Sequence, residues 1–238
     1  MNAKHIIEEL VAMRNPEKEK ILLYFFKTGK GQYGEGDQFL GITVPQIRSL
    51  VKKYKDIYIH EIETLIHNQF HECRMLALLL LVESYPKAKS ESEQKQIYEF
   101  YIRQVDYINN WDLVDLTAPH IVGAYLWGKD REDLFNFAQT PHLWLQRIAV
   151  IATYYFIRKH DFQTTFDVST LLLQHPNDLI HKAVGWMLRE AGKRDFEAEY
   201  QYLIENKRYQ SMPRTMLRYA IEKFPESLRQ DFLKGRVG

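Results

Sequence analysis

The sequence is poor in cysteine, in long apolar runs and in net charge. Cys73 is the one cysteine among 238 residues, so no intrachain disulfide can form, as is typical of a protein from a reducing cytoplasm. The longest apolar run, Met75 to Val82, is far shorter than the roughly 20 residues of a membrane span. The first residues carry mixed charges and no stretch of signal-peptide length, so we expect a cytoplasmic protein. The formal net charge of +1 indicates no class of partner.

Strand signals are equally scarce. Long alternating runs and Asn-Gly or Asp-Gly hairpin turns are absent, whereas helical periods are common. In QKQIYEFYIRQV, for example, Ile97, Tyr101 and Val105 lie on one helical face. Because 45% of the residues are hydrophobic and 26% are charged, the chain can bury a sizeable core. The sequence therefore predicts an all-α protein.

Similar apolar segments recur with a period of about 36 residues, and four of the five begin with a basic residue. They are RMLALLLLVESY from Arg74, WDLVDLTAPHIVGAYL from Trp111, RIAVIATYYFIRKH from Arg147, KAVGWMLREAGK from Lys182 and RYAIEKF from Arg218. Each is typical of the second helix of a pair that must stack on its neighbours to bury its apolar face. We predict a right-handed superhelical solenoid of HEAT-like helix pairs with a concave cleft. It would form a single domain over residues 1–238, with N-terminal helices and a glycine-rich loop in 1–45 and repeats over about 46–235.

A glycine-rich segment, TGKGQYGEGDQFLGITVP, interrupts the helical pattern from Thr28 to Pro45. It lacks the GxxxxGK[ST] spacing, so we do not interpret it as a nucleotide-binding loop. It is either a plain connection between helices or a loop that brings Lys27 and Lys30 against phosphates.

The basic residues of the repeats favour an anionic partner. Residues 182–238 hold twelve Lys/Arg against eight Asp/Glu, although such a balance is only weakly diagnostic. Stacking would align Arg74, Arg147, Lys182 and Arg218 in a row that follows a phosphate backbone.

Three neighbouring repeats each pair a tryptophan with a charged residue on one helical face. Asn109 or Asn110 can cap the first of these helices, and its N-terminal dipole would favour an ionised Asp115. Taken singly, such tryptophans are usually core residues, such aspartates are usually caps, and such arginines usually pair with an acid of the next repeat. The pairs are Trp111–Asp115, Trp144–Arg147 and Trp186–Arg189.

A metal site and a cysteine nucleophile are both disfavoured. His67 and His71 are four residues apart near Cys73, but no third ligand is evident and HNQFH lacks the Glu of a metalloprotease motif. We expect both histidines on a helix surface, Cys73 as a small buried residue, and neither a metal nor a cofactor.

The segments FLGITVPQIRSLVKK, NNWDLVDLTAPHIVG, HLWLQRIAV and HKAVGWMLREAGK resemble the DNA alkylation repair family, the AlkD-type DNA glycosylases. The likeness runs from about Phe39 into the C-terminal repeats. It implies that Asp115 is the catalytic carboxylate, that Trp111 and Trp186 are the cleft tryptophans, and that Arg147 and Arg189 contact the DNA backbone. TGKGQYGEGD is longer and richer in glycine than this family's pattern.

The resemblance implies excision of positively charged N3- or N7-alkylated purines from duplex DNA, without a base-flipping pocket. An ionised Asp115 would stabilise the oxocarbenium-like sugar. We expect a monomer that binds DNA and needs no protein partner or membrane. The alternatives are a non-catalytic DNA-binding paralogue and a protein-interaction scaffold. Further expected DNA contacts are Trp144, Lys182, Arg214, Arg218, Lys27 and Lys30.

Overall fold

The computed structural model describes residues 2–237, and the regular secondary structure of this range is helical. Within this range no β-strand forms, and the β-type pairing is an isolated parallel bridge between Gln38 and Phe70. None of the helices in the described range is long and apolar enough to cross a membrane. The all-α prediction is confirmed. The chain divides into two compact units, unit 1 (Met1–Thr117) and unit 2 (Ala118–Gly238).

Unit 1 is organised around one helix that is buried on every side. Its helices are α1 (Ala3–Ala12), α2 (Pro16–Phe25), α3 (Val44–Tyr54), α4 (Ile59–Ile66), α5 (His71–Ser84), α6 (Glu91–Arg103) and α7 (Trp111–Asp115), with 3-10 turns at Tyr85–Lys87 and Val105–Tyr107. The long apolar run lies in α5, whose residues from His71 to Leu81 are all buried. A helix that is buried all round needs neighbours on every side, and α1, α3, α4 and α7 pack against α5.

Unit 2 contains stacked helix pairs. Its helices are α8 (Ala124–Leu126), α9 (Glu132–Gln139), α10 (Leu143–Ala152), α11 (Tyr154–Ile157), α12 (Gln163–Leu171), α13 (Asp178–Gly192), α14 (Phe196–Ile204), α15 (Arg208–Ser211), α16 (Arg214–Ala220) and α17 (Glu226–Leu233), with a π-helical turn at Pro119–Gly123 and 3-10 turns at Glu205–Lys207 and Ile221–Lys223. α9 packs on α10 and α12 packs on α13, while α13 contacts both α10 and α16. The stacking predicted from the 36-residue period is therefore present in this unit.

One glycine allows two of these helices to approach closely. A Cβ on Gly185 of α13 would lie 2.4 Å from the Met216 carbonyl oxygen and 2.5 Å from the Tyr219 Cβ, both on α16. Since a real Cβ does not come this close to other atoms, only glycine fits at this crossing of the two helices.

The repeat helices begin three or four residues before the basic residues that mark the repeats in the sequence. α5 begins at His71 instead of Arg74, and α13 begins at Asp178 instead of Lys182. The Asn177 side chain explains the start of α13, because its Oδ1 accepts the Leu179 N–H at 2.9 Å. The prediction that these basic residues begin the helices was wrong, since each lies about one turn inside its helix.

The helix that carries the predicted carboxylate is shorter than expected. α7 comprises Trp111–Asp115, so Asp115 is its last residue and does not lie in the first turn of a long helix. Proline at position 119 has no N–H to donate to the carbonyl of Asp115, so the regular hydrogen-bond ladder cannot continue. The dipole of a long helix, which we invoked to favour an ionised Asp115, is therefore absent from α7.

Candidate functional site

Trp111 and Asp115 mark the two ends of α7 in unit 1, and both side chains are partly exposed. Asn110 caps the helix, because its Oδ1 accepts the Trp111 backbone N–H at 2.9 Å. Asn110 is one of the two caps considered from the sequence. The pair is thus one helical turn apart on a capped segment, as their spacing predicts.

The two carboxylates of α7 have different environments. Asp112 is buried, and its Oδ2 accepts a hydrogen bond from Nε2 of His71 at 2.9 Å. Asp115 is partly exposed, and its negative charge disfavours ionisation of the buried Tyr101 hydroxyl. Burial raises the pKa of Tyr101, and the charge of Asp115 raises it further. Asp112 is therefore a core residue, and Asp115 is the carboxylate of α7 that meets solvent.

Trp111 is held by an aromatic cluster within unit 1. The ring of Phe26 stacks on the indole with centroids 5.3 Å apart, and the ring of Phe25 forms a T-shaped pair with the indole at 5.8 Å. The indole Nε1–H donates to the hydroxyl oxygen of Tyr33 at 3.2 Å. One face and the N–H edge of the indole are therefore occupied by protein, while the side chain as a whole stays partly exposed.

A buried ionic network lies next to α7, and sequence reasoning missed it. His71 Nδ1 bonds Asp37 Oδ2 at 3.1 Å, and Arg74 forms an ion pair with the other oxygen of Asp37. Burial acts to lower the pKa of His71, but the charges and hydrogen bonds of Asp112 and Asp37 outweigh it and raise the pKa to about 9. Burial likewise acts to raise the pKa of Asp37, yet His71 and Arg74 leave it lowered. The network is therefore two cations paired with two carboxylates in the core.

This network corrects two expectations. His71 is buried between two carboxylates and does not lie on a helix surface. Arg74 is also buried, and its Nη1 donates to the carbonyls of Asn68 and Gln69 at 3.0 Å, so it cannot belong to a solvent-facing basic row. The available signal was the apolar run that follows both residues, because a helix buried on all sides also buries its first turn. Cys73 is fully buried, as expected.

Trp186 lies on α13 in unit 2 and is partly exposed. Its Nε1–H donates to Glu190 Oε1 at 3.3 Å, one turn along the same helix. Glu190 also binds Lys193 at 2.6 Å and Arg194 at 3.3 Å. Burial acts to raise the pKa of Glu190, but these cations and the indole leave it lowered. An ionised Glu190 thus fixes the edge of the indole.

Trp144 and Arg147 lie inside unit 2. Trp144 is 8% exposed and Arg147 is 4% exposed. Arg147 Nη1 donates to the carbonyl of Leu179 at 2.5 Å, so its guanidinium connects α10 to the start of α13. In this structure both side chains pack in the core, and their predicted contacts with DNA stay predictions.

The other cations expected at DNA differ in exposure. Arg189 pairs with Glu222, and Lys182 lies 2.6 Å from Asp178 on its own helix. Arg214 donates to the Leu233 carbonyl at 2.7 Å. The exposed members of the set are Lys27, Lys30, Arg214 and Arg218.

Within residues 2–237, no group of three or more His, Cys, Asp or Glu side chains is arranged to hold a metal ion. His67 bonds Gln104 at 2.6 Å and stacks on Tyr107, so its partners are protein groups.

Comparison with known proteins agrees with the sequence motifs. The family model described as DNA alkylation repair enzyme matches residues 6–224. Among solved structures, the chain is similar to a "Predicted DNA alkylation repair enzyme from Enterococcus faecalis", with a TM-score of 0.72 and 17% identity over 90% of this chain and 98% of that chain. At this identity the likeness shows a shared fold. No curated protein matches the sequence. Because the family model spans most of the chain, the protein belongs to the DNA alkylation repair enzyme family.

Proposed function

We propose that this protein is a monofunctional DNA glycosylase that excises N3- or N7-alkylated, positively charged purines from duplex DNA. One observation carries the proposal: α7 buries one of its carboxylates in an ionic network and leaves the other, Asp115, partly exposed beside Trp111. Asp115 is therefore the carboxylate of α7 that a bound duplex can reach.

The chemistry assigns a role to each of these groups. Alkylation at N3 or N7 puts a positive charge on the purine and weakens its bond to the deoxyribose, so departure of the base leaves an oxocarbenium-like sugar. Asp115, as a carboxylate, stabilises that cation and positions the water that attacks it. Trp111 and Trp186 add cation–π attraction, on the order of 0.5–2 kcal/mol each. A surface carboxylate acting on the sugar needs no base-flipping pocket.

Unit 2 supplies the proposed phosphate contacts. Exposed arginines hold phosphates through charge-assisted hydrogen bonds, which position the duplex without reading its sequence. Arg214 and Arg218 are exposed, and Arg189 would exchange Glu222 for a phosphate. Arg147 is buried and bound to the Leu179 carbonyl, so its proposed phosphate contact requires the guanidinium to leave the core when DNA binds. We infer a monomer that acts on DNA in the cytoplasm.

Release of 7-methylguanine and 3-methyladenine from methylated duplex DNA tests the proposal. We expect Asp115→Asn to slow base release roughly 100- to 1000-fold while affinity for undamaged duplex changes little, since the lost group acts on the transition state. Asp56→Asn is the matched control, because Asp56 is an exposed aspartate elsewhere in unit 1.

Two results would overturn the proposal. Wild-type protein that binds DNA in a salt-dependent manner without releasing a base would be a non-catalytic DNA-binding protein. Protein that does not bind DNA even at low salt would be better explained as an interaction scaffold.

A further inference from the structure

The C-terminal end of the glycine-rich loop, residues 40–42, is fixed to the first turn of α5. The buried carboxylate of Glu72 accepts the backbone N–H groups of Leu40 and Gly41 at 2.8 Å and of Ile42 at 3.1 Å. Gly41 has a φ of +79°, and a Cβ there would lie 2.3 Å from the Asn15 carbonyl oxygen. Three amides around one buried carboxylate give this stretch of the loop a single backbone conformation.

The middle of the loop is fixed by Asp37. Its buried carboxylate binds His71 and Arg74, both on α5. The same imidazole continues to Asp112, the residue that follows Trp111 in the chain. His71 thus ties the loop and the first turn of α7 to one point of the core.

Aromatic rings extend this connection to Trp111. The ring of Phe39, in the loop, stacks on His71 at 4.6 Å and on Phe26 at 5.0 Å. Phe26 in turn stacks on Trp111 at 5.3 Å. His71 also lies 5.2 Å from Phe26, with the two ring planes tilted by 34°, so the rings of Phe26, Phe39 and His71 form a compact cluster that Trp111 joins through Phe26.

The loop also contacts Trp111 directly through Tyr33, whose hydroxyl oxygen accepts a hydrogen bond from the indole N–H. Phe26 of this cluster supports one face of the indole, and the hydrogen bond to Tyr33 fixes the direction of its one polar atom, Nε1. A cation–π contact depends on where the ring lies as well as on its plane.

We propose that Tyr33 is a positioning residue for base excision: it fixes the rotation of Trp111, and the glycine-rich loop exists to hold Tyr33 there. This inference rests on the proposed function of Trp111. It also gives the loop a role that differs from both a plain connection and a phosphate contact through its lysines.

Tyr33→Phe in the full chain is the test, because it removes the acceptor oxygen and keeps the ring. Tyr58→Phe is the matched control, since Tyr58 is an exposed tyrosine of unit 1. The first readout is the indole N–H signal of Trp111 in a ¹H–¹⁵N correlation spectrum, identified among the four tryptophans by its loss in Trp111→Phe. The second readout is the rate of 3-methyladenine release, measured separately from affinity for undamaged duplex.

We expect Tyr33→Phe to shift the Trp111 signal and speed its exchange with solvent. Maximal base release should fall about three- to tenfold, as for the loss of one hydrogen bond, with unchanged affinity for undamaged duplex. A Trp111 signal unchanged by Tyr33→Phe would overturn the inference, and so would a shifted signal with unchanged base release. If wild-type protein releases no base, the proposed function fails, whereas the spectrum still decides whether Tyr33 orients Trp111.

Discussion

The buried imidazole of His71 makes the stability of unit 1 depend on pH. It faces Asp37 from the glycine-rich loop and Asp112 from α7, while Arg74 of its own helix balances the second charge of the network. With a folded-state pKa of about 9, His71 stays protonated at neutral pH. Losing that proton would leave the two buried carboxylates, Asp37 and Asp112, with Arg74 as the one remaining cation of the network.

The size of the effect follows from the two pKa values. The ordinary pKa of histidine is 6.5, and the folded value is about 9. At about 1.4 kcal/mol for each tenfold change in proton affinity, this difference stabilises the folded state by about 3 kcal/mol. The contribution is complete below pH 6.5, because both states are then protonated. It is lost as the pH rises towards 9, at about 1.4 kcal/mol per pH unit.

Urea denaturation followed by circular dichroism between pH 6 and 8.5 measures this slope. We expect His71→Gln to be less stable than wild type at pH 6, and the gap between the two to narrow as the pH rises, because glutamine does not titrate. His60→Gln is the control, since the His60 side chain is 70% exposed. Burial raises the pKa of the Cys73 thiol to about 12, so that group also lowers stability at alkaline pH, but it does so equally in both proteins.

Parallel stability curves for wild type and His71→Gln would refute this reasoning. They would mean that His71 binds its proton equally strongly in the folded and unfolded states, so that folding does not raise its pKa. The reasoning would also be refuted if the free energy of unfolding fell more steeply with pH in His71→Gln than in wild type.

Two further predictions concern unit 2. Gly185→Ala should lower the free energy of unfolding by about 1–3 kcal/mol in urea denaturation, because the added Cβ meets α16; a more stable variant would mean that helix propensity outweighs the close contact. Glu199→Gln should raise the Tm at neutral pH but not at pH 4. Burial holds the pKa of Glu199 well above its usual range, so the folded state keeps a proton that the unfolded state releases above pH 4.5. An unchanged Tm difference between these two pH values would contradict that assignment.

Local sequence patterns predicted much of the architecture. Hydrophobic periodicity indicates helices because it depends on residues three or four positions apart, and the 36-residue period indicates stacking because each pair must cover its neighbour. The motifs around Trp111, Trp144 and Trp186 indicated the family that the family model matches. The predicted helix starts were wrong because they were placed at the basic residues. The capping residues, such as Asn177, lie about one turn earlier in the chain.

The candidate site depended on contacts that no local pattern encodes. WDLVD offers two aspartates, and only the packing of α7 against α5 distinguishes the buried Asp112 from the partly exposed Asp115.

The sequence by itself determined that the chain is helical, that its helices stack as repeated pairs, and that α7 carries a tryptophan and a carboxylate one turn apart. Only the tertiary structure decided what surrounds them. His71 lies 34 residues from Asp37 and 41 from Asp112 along the chain, and Tyr33 lies 78 from Trp111. Burial and pairing across such separations arise only when distant segments pack together. That packing places His71 between two buried carboxylates, where the sequence predicted a surface histidine, and it places Tyr33 of the glycine-rich loop against Trp111.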